Sequence, residues 1–150
     1  MQRNDRVEEI IIRELSIQDI EAISDIYSGI IQHPVKSDFK ELIQRHAERK
    51  EDLCFVAEID GKVVGFMVSY ILTLGFGIEK SAWIATLGVN PEFMGQGIGK
   101  KLGEKLFDYY QALGIENVYT SVRWDSTDLL SFFKTLGFDR SNFINLRKQI

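Results

Sequence analysis

Apolar positions along the chain recur in two rhythms, a period near two and a period near 3.6, and their alternation predicts an α/β protein. Residues 7–13 (VEEIIIR) read as a first strand. Ser16-Ile17-Gln18-Asp19 then opens a helix whose Ile20, Ile23, Ile26, Tyr27 and Ile30 fall at helical spacing. His33-Pro34 breaks it, and Ser37 caps a second helix carrying Phe39, Leu42, Ile43 and His46. Residues 52–59 and 62–72 read as strands joined at Asp60-Gly61, a two-residue hairpin signal. After a glycine-containing loop at 73–80, residues 82–89 (AWIATLGV) form a buried strand that stops at Asn90-Pro91. Ile98, Leu102, Leu106, Tyr109 and Tyr110 then share a helical face, with Lys100, Lys101, Glu104 and Asp108 largely away from it. In residues 118–124, Val118, Thr120, Val122 and Trp124 alternate with Tyr119, Ser121 and Arg123 as in a strand. Asp125-Ser126-Thr127-Asp128 starts a last helix, Asp125 and Ser126 competing for its cap, with Leu129, Leu130, Phe132, Phe133 and Leu136 on its apolar side and Gly137 at its end. Residues 143–148 read as a closing strand. With no repeat, low-complexity tract or linker, residues 1–150 are expected to form a single domain.

Between the apolar strand and the helix that follows, Gly95, Gly97 and Gly99 occupy alternate positions. Unpaired N–H groups and the positive end of a helix dipole project from such a turn, and glycine lets an anion approach the backbone closely. Phosphate is the expected ligand; the bland alternative is a glycine-rich turn that binds nothing. Spacing narrows the choice. A nucleotide P-loop, G-x-x-x-x-G-K-(S/T), would need glycine at Met94 and a hydroxyl at Lys101. A dinucleotide fingerprint starting from Gly95 and Gly97 would need glycine at Lys100.

Composition changes this picture little. A chain of 150 residues that is 45% hydrophobic is one ordinary globular domain. Its apolar runs, such as Ile10-Ile11-Ile12, are too short to span a bilayer, and no charged-then-apolar leader opens it, so a cytoplasmic address is expected. Cys54, the single cysteine, cannot form an internal disulfide and is expected to be buried packing. A net charge of -4 argues against general nucleic-acid binding and mildly favours a cationic substrate. His33, His46 and Cys54 lack metal-ligand spacing, so no metal is expected.

The stretch from Met94 to Gly99, M-G-Q-G-I-G after Val89-Asn90-Pro91, resembles motif A of the GNAT superfamily of acyl-CoA N-acyltransferases, (Q/R)-x-x-G-x-(G/A) after a strand ending V-x-P. Met94 stands where Gln or Arg is usual. Phe132-Phe133-Lys134-Thr135-Leu136-Gly137-Phe138 resembles motif B, with Phe133 in place of the usual Tyr. Ile12-Arg13 with Asp19-Ile20, and the hairpin around Asp60-Gly61, are similar to the family's opening elements, so the resemblance covers essentially the whole chain. It implies a mixed, mostly antiparallel twisted sheet flanked by about four helices. Two central parallel strands, here 82–89 and 118–124, would splay apart to admit the pantetheine arm.

The resemblance also implies the chemistry. Acetyl-CoA would be the co-substrate, held by Leu87, Gly88, Val89, Met94, Gly95, Gln96, Gly97, Ile98, Gly99, Lys100, Ser126 and Phe133, with the Val89 N–H directed at the thioester oxygen. The motif B Tyr that protonates the leaving thiolate in many members is Phe133 here, and motif B's usual opening Asn aligns with Ser126. Positions at which relatives carry a basic Glu are Trp83 and Ser121. Glu79 and His33 remain as candidate bases, each weighed against a solvated loop residue. Tyr119 and Arg123 share a face with Ser121, toward substrate or toward solvent. The expected activity is direct acetyl transfer to a primary amine, of a small molecule or a peptide N-terminus, through a ternary complex. The alternative is an acyl-CoA-binding module without turnover. No nucleic-acid or membrane partner is expected, and a homodimer is possible through the final strand.

Overall fold

The computed structural model describes residues 9–31, 37–49, 52–73 and 79–150, and the chain divides into two compact units, Met1–Thr120 and Ser121–Ile150. The first unit is built on five strands in sequential order: β1 (Ile11–Glu14), β2 (Cys54–Ile59), β3 (Lys62–Thr73), β4 (Lys80–Val89) and β5 (Val118–Tyr119). Neighbours run antiparallel except β4 and β5, which are parallel. Helices α1 (Ile20–Ile31) and α2 (Ser37–Glu48) follow β1, and α3 (Ile98–Ala112) links β4 to β5. The mixed, mostly antiparallel architecture is the expected one.

Local chemistry explains the turns. Asp60 and Gly61 both take positive φ, 50° and 78°, the twist that matches a two-residue hairpin to its strands. At the entry to α1, the Asp19 carboxylate accepts from the Ser16 N–H at 2.8 Å and from both Nη1 and Nη2 of Arg13 at 2.8 Å, while Arg13 Nε reaches Glu58 at 3.0 Å. Burial works against the Asp19 anion, but the bonds from Arg13 and Ser16 outweigh it and hold its carboxyl below the usual range. One residue cluster thus ties β1, β2 and the start of α1 together.

The sheet carries a core on each face. Ile23, Ile26 and Ile43 of the two N-terminal helices pack with Val56, Phe66 and Val68, and the Tyr27 and Phe39 rings stack at 4.2 Å to join α1 to α2. On the other face Phe55 meets Tyr109 of α3, and the Tyr110 hydroxyl bonds to Ser69 at 2.6 Å. Glycines set how closely the helices approach. A Cβ at Gly65 would sit 3.0 Å from Ile98 Cγ2 of α3. A Cβ at Gly88 would sit 2.8 Å from both Ile30 Cδ1 of α1 and the Phe66 ring.

Several elements differ from expectation. The first strand is Ile11–Glu14, and residues 7 and 8 of the expected span lie outside the described residues. Strand β2 starts at Cys54 because the Asp52 N–H closes a turn, donating to the Arg49 carbonyl at 3.1 Å; its buried carboxylate takes His46 Nδ1 at 2.7 Å and the Ile71 N–H at 3.2 Å, pinning the end of α2 to β3. Strand β4 begins at Lys80, two residues early. Strand β5 ends at Tyr119 instead of continuing to 124; there the Thr120 hydroxyl, not a backbone group, donates to the Ile84 carbonyl at 3.1 Å. Cys54 is buried as expected, and burial pushes its thiol up to about 12.

The second unit holds α4 (Thr127–Thr135). Its C-terminus closes as a Schellman motif, with Gly137 at φ 90° and the Phe138 N–H donating to the Phe133 carbonyl at 3.0 Å. At its N-terminus neither candidate side chain caps: Asp125 is held by Arg123 through two bonds of 2.9 Å, and Ser126 occupies the cap position without a side-chain bond. Residues 143–148 form no strand. The second unit offers no other strand to pair with, and Ile144 and Leu146 stay exposed.

Two alanine substitutions should have opposite signs. Gly88→Ala should destabilise the protein by about 1–3 kcal/mol, because the new methyl overpacks the fully buried Phe66 ring. Gly29→Ala, late in α1 where an added Cβ meets nothing, should stabilise it by about 0.5–1 kcal/mol. Denaturant unfolding of the two variants beside wild type checks both signs.

Candidate functional site

The site begins with an irregularity in β4. Thr86 pairs with Val68 and Ile84 with Ser69, so Ala85 is an extra residue opposite the same stretch of β3. Upstream of this bulge the Ala82 N–H donates toward β5, to the Asn117 carbonyl at 3.1 Å. Downstream the Asn90 N–H donates toward β3, to the Val64 carbonyl at 2.8 Å. Backbone groups alternate in direction along a strand, so without the extra residue Asn90, lying an even number of positions after Ala82, would face β5 as well. The bulge reverses the parity. Gly88 and Asn90 therefore serve the β3 ladder, and the N–H groups of Leu87 and Val89 point to the opposite edge.

That edge is open because β5 has already ended. Strand β5 pairs with β4 only at Ala82↔Val118 and Trp83↔Tyr119, and among the described residues no strand pairs with the six further residues of β4 on that side. The expected parallel pairing of these two strands is present as this short stem, but the second strand does not run on to residue 124.

The glycine loop continues from this edge. Asn90 turns the chain, its Oδ1 accepting the Glu92 N–H at 3.1 Å, and Pro91–Phe93 makes one 3-10 turn. Gly95 and Gly97 then take φ of 83° and 76°, a backbone region that side-chain-bearing residues rarely adopt. Gly97 is the N-cap of α3, and Ile98 behind it is buried, which fixes the helix start against the sheet. Among the described residues, the first N–H after the loop with a carbonyl acceptor is that of Lys101, bonded to Gly97 at 3.0 Å. The N–H groups of residues 95–100 form an unspent cluster at the positive end of a 15-residue helix. Met94 and Gln96 are exposed, and Lys100 extends along the helix toward Glu104.

Leu87, Gly88 and Val89 and residues 94–100 lie in one continuous segment. Glu79 is exposed directly before β4. His33 lies outside the described residues. Ser126 and Phe133 belong to the second unit, where Phe133 is buried and packs edge-on against Phe132 at 5.3 Å and Phe138 at 5.0 Å. Ser121 accepts from Asn145 at 2.9 Å, and Arg123 is exposed in its pair with Asp125. Among the described residues no group of three or more His, Cys, Asp or Glu is placed to hold a metal ion, and no helix is long and apolar enough to cross a membrane.

Sequence reading missed the Ala85 bulge, which leaves no composition signal in an apolar strand. It also missed the row that Tyr70, Trp83 and Tyr119 form across β3, β4 and β5.

A family model for the acetyltransferase (GNAT) family matches residues 20–138, and the chain belongs to that family of acyltransferases. An uncharacterized N-acetyltransferase of Methanocaldococcus jannaschii is 34% identical over 99 residues, 65% of this chain but 43% of that protein, so the chain spans under half the length of this relative. Among solved structures, aminoglycoside N-acetyltransferase AAC(6')-Iy in complex with CoA superposes with a TM-score of 0.83 at 15% identity, covering 98% of this chain and 99% of that one. An aminoglycoside acetyltransferase from an uncultured soil metagenomic sample, in complex with sisomicin, gives 0.77 at 21% identity, over 94% and 96%. The ribosomal-protein-alanine N-acetyltransferase of Brucella melitensis gives 0.76 at 15% identity, over 95% and 99%. These likenesses show the same fold.

Proposed function

We propose that the chain transfers an acetyl group from acetyl-CoA directly to a primary amine bound beside it. The observation that carries this reading is the continuous run of outward backbone donors, from Leu87 and Val89 on the open edge of β4 to residues 95–100 at the start of α3. An amide-bearing arm can add to the open edge as an extra strand, and a pyrophosphate suits the cluster at the helix start. The family supports the acyl-CoA co-substrate, as does a neighbouring aminoglycoside acetyltransferase whose structure contains CoA.

In this reading the Val89 N–H faces the thioester oxygen and stabilises the charge that gathers there as the amine nitrogen attacks the carbonyl carbon. One such donor is worth roughly 3 kcal/mol of barrier. Holding both reactants in line contributes roughly 7–11 kcal/mol. The carbon–sulfur bond then breaks, CoA leaves as thiolate, and the amine proton passes to water. Phe133 carries no proton to give the thiolate, and neither Trp83 nor Ser121 accepts one as a carboxylate does. The same three residues favour the second reading, an acyl-CoA-binding module without turnover. Thiol release across a panel of amines separates the two: silence throughout, with acetyl-CoA bound, supports the module.

Acetyl-CoA should bind and raise the melting temperature, and Gly97→Val should weaken binding more than about tenfold, since a β-branched residue resists φ of 76° and crowds the donors. Equal affinity of wild type and variant by calorimetry would overturn the placement of the pyrophosphate.

The acceptor's own ionisation should set the pH dependence. An α-amine, of pKa about 7.7–8.0, is substantially neutral near pH 7, whereas a lysine side chain at about 10.4 is almost wholly protonated. Peptide or small-molecule α-amines should therefore react faster than lysine ε-amines, and the rate should climb with pH along the acceptor's titration. A rate governed instead by an enzyme group near pH 6 would mean that a base operates, with Glu79 and His33 the first to replace.

A further inference from the structure

Four rings line up across the sheet at the point where β4 and β5 part. Tyr70, Trp83 and Tyr119 are direct cross-strand partners on three adjacent strands, so their side chains rise from one face. Trp83 and Tyr119 stack with ring centroids 5.0 Å apart, and His46 of α2 stacks on Tyr70 at 5.8 Å. All three strand aromatics are only partly buried. Trp83 stands on the last rung before the strands separate, four residues upstream of Leu87 and so roughly 13 Å from it at the rise of a strand.

These rings are held in place. Trp83 Nε1 donates to Ser81 Oγ at 3.1 Å, and that hydroxyl donates to the Leu72 carbonyl at 3.2 Å. His46 is fixed through Nδ1 by Asp52, whose carboxylate has no exposed surface and also meets Arg49 Nε at 3.5 Å and the Ile71 N–H at 3.2 Å. Core packing alone does not require such second-layer anchoring of half-buried rings, and preorganised aromatic surfaces recur in binding sites.

Charge narrows the ligand. Strands β3, β4 and β5 contain no Asp or Glu; their charged residues are Lys62 and Lys80, at strand starts. Asp52, behind the His46 ring, is already paired with His46, Arg49 and the Ile71 N–H. A polycationic acceptor needs carboxylates, and this floor supplies ring faces instead.

We infer that the Tyr70–Trp83–Tyr119 row is the specificity surface for the acceptor, and that the acceptor is a monoamine bearing an aromatic or flat apolar group on a short alkyl arm. The inference rests on the acetyl-transfer reading above, with the ring seated at Trp83 and the nitrogen reaching along β4 toward Leu87 and Val89.

Binding without turnover provides a test independent of that reading. The chain has two tryptophans, so Trp124→Phe, at an exposed position, leaves Trp83 as the only indole. With CoA present, phenylalanine amide, an aromatic α-amine, should change Trp83 fluorescence saturably, whereas spermidine should not at the same concentration. In acetyl transfer, Trp83→Leu should raise KM for phenylalanine amide at least tenfold while KM for acetyl-CoA holds, and Trp83→Phe should restore most of the loss. Saturable quenching with no transfer to any amine would uphold the aromatic surface and reject the transferase reading. An unchanged KM in Trp83→Leu, or tenfold better use of spermidine by wild type, would overturn the inference. Should Trp83→Leu fail to fold, Tyr70→Leu takes its place with the same expected KM shift.

Discussion

One extra residue in β4 sets the direction of everything downstream. Ala85 reverses which backbone groups face β3, so Leu87 and Val89 present their N–H groups to the open edge while Gly88 and Asn90 satisfy the ladder. A regular strand would have put Gly88 and Asn90 on that edge instead and left the β3 carbonyls without their present donors. The bulge also lies two residues past the last rung shared with β5.

Packing then fixes the glycine loop relative to that edge. Ile98 and Leu102 are buried where a Cβ on Gly65 of β3 would sit 3.0 and 3.5 Å from them, so the start of α3 packs closely on the strand that β4 pairs with. The donors at 95–100 are consequently held by the core rather than by the loop's own bonds, while positive φ at Gly95 and Gly97 keeps side chains out of their way. Gly88, pressed between Ile30 and Phe66, brings α1 onto the same end of the sheet. Glycine serves two physical ends here, conformational in the loop and steric in the strands.

Much of this was legible in the sequence. The Asp60-Gly61 hairpin, the amphipathic faces of α1 and α3, the Asn90-Pro91 stop and the alternate glycines are local signals, and each stands where its pattern placed it. Less legible were features decided by partners distant in sequence. Asp52 reads as a strand residue, yet its N–H closes a turn onto the Arg49 carbonyl while its carboxylate serves His46 and Ile71. Residues 143–148 alternate like a strand, yet a strand needs a neighbour, and the second unit supplies none. The bulge at Ala85 depends on the register of β3, and the row of Tyr70, Trp83 and Tyr119 exists only once that register is set.

The parity of β4 is directly measurable. Amide hydrogen exchange, resolved by residue with and without acetyl-CoA, should show the Leu87 and Val89 amides exchanging readily in the free protein and gaining protection on binding, together with residues 95–100. The Gly88 and Asn90 amides, already bonded to β3, should change little. Protection gained at Gly88 and Asn90, with Leu87 and Val89 unaffected, would contradict the account.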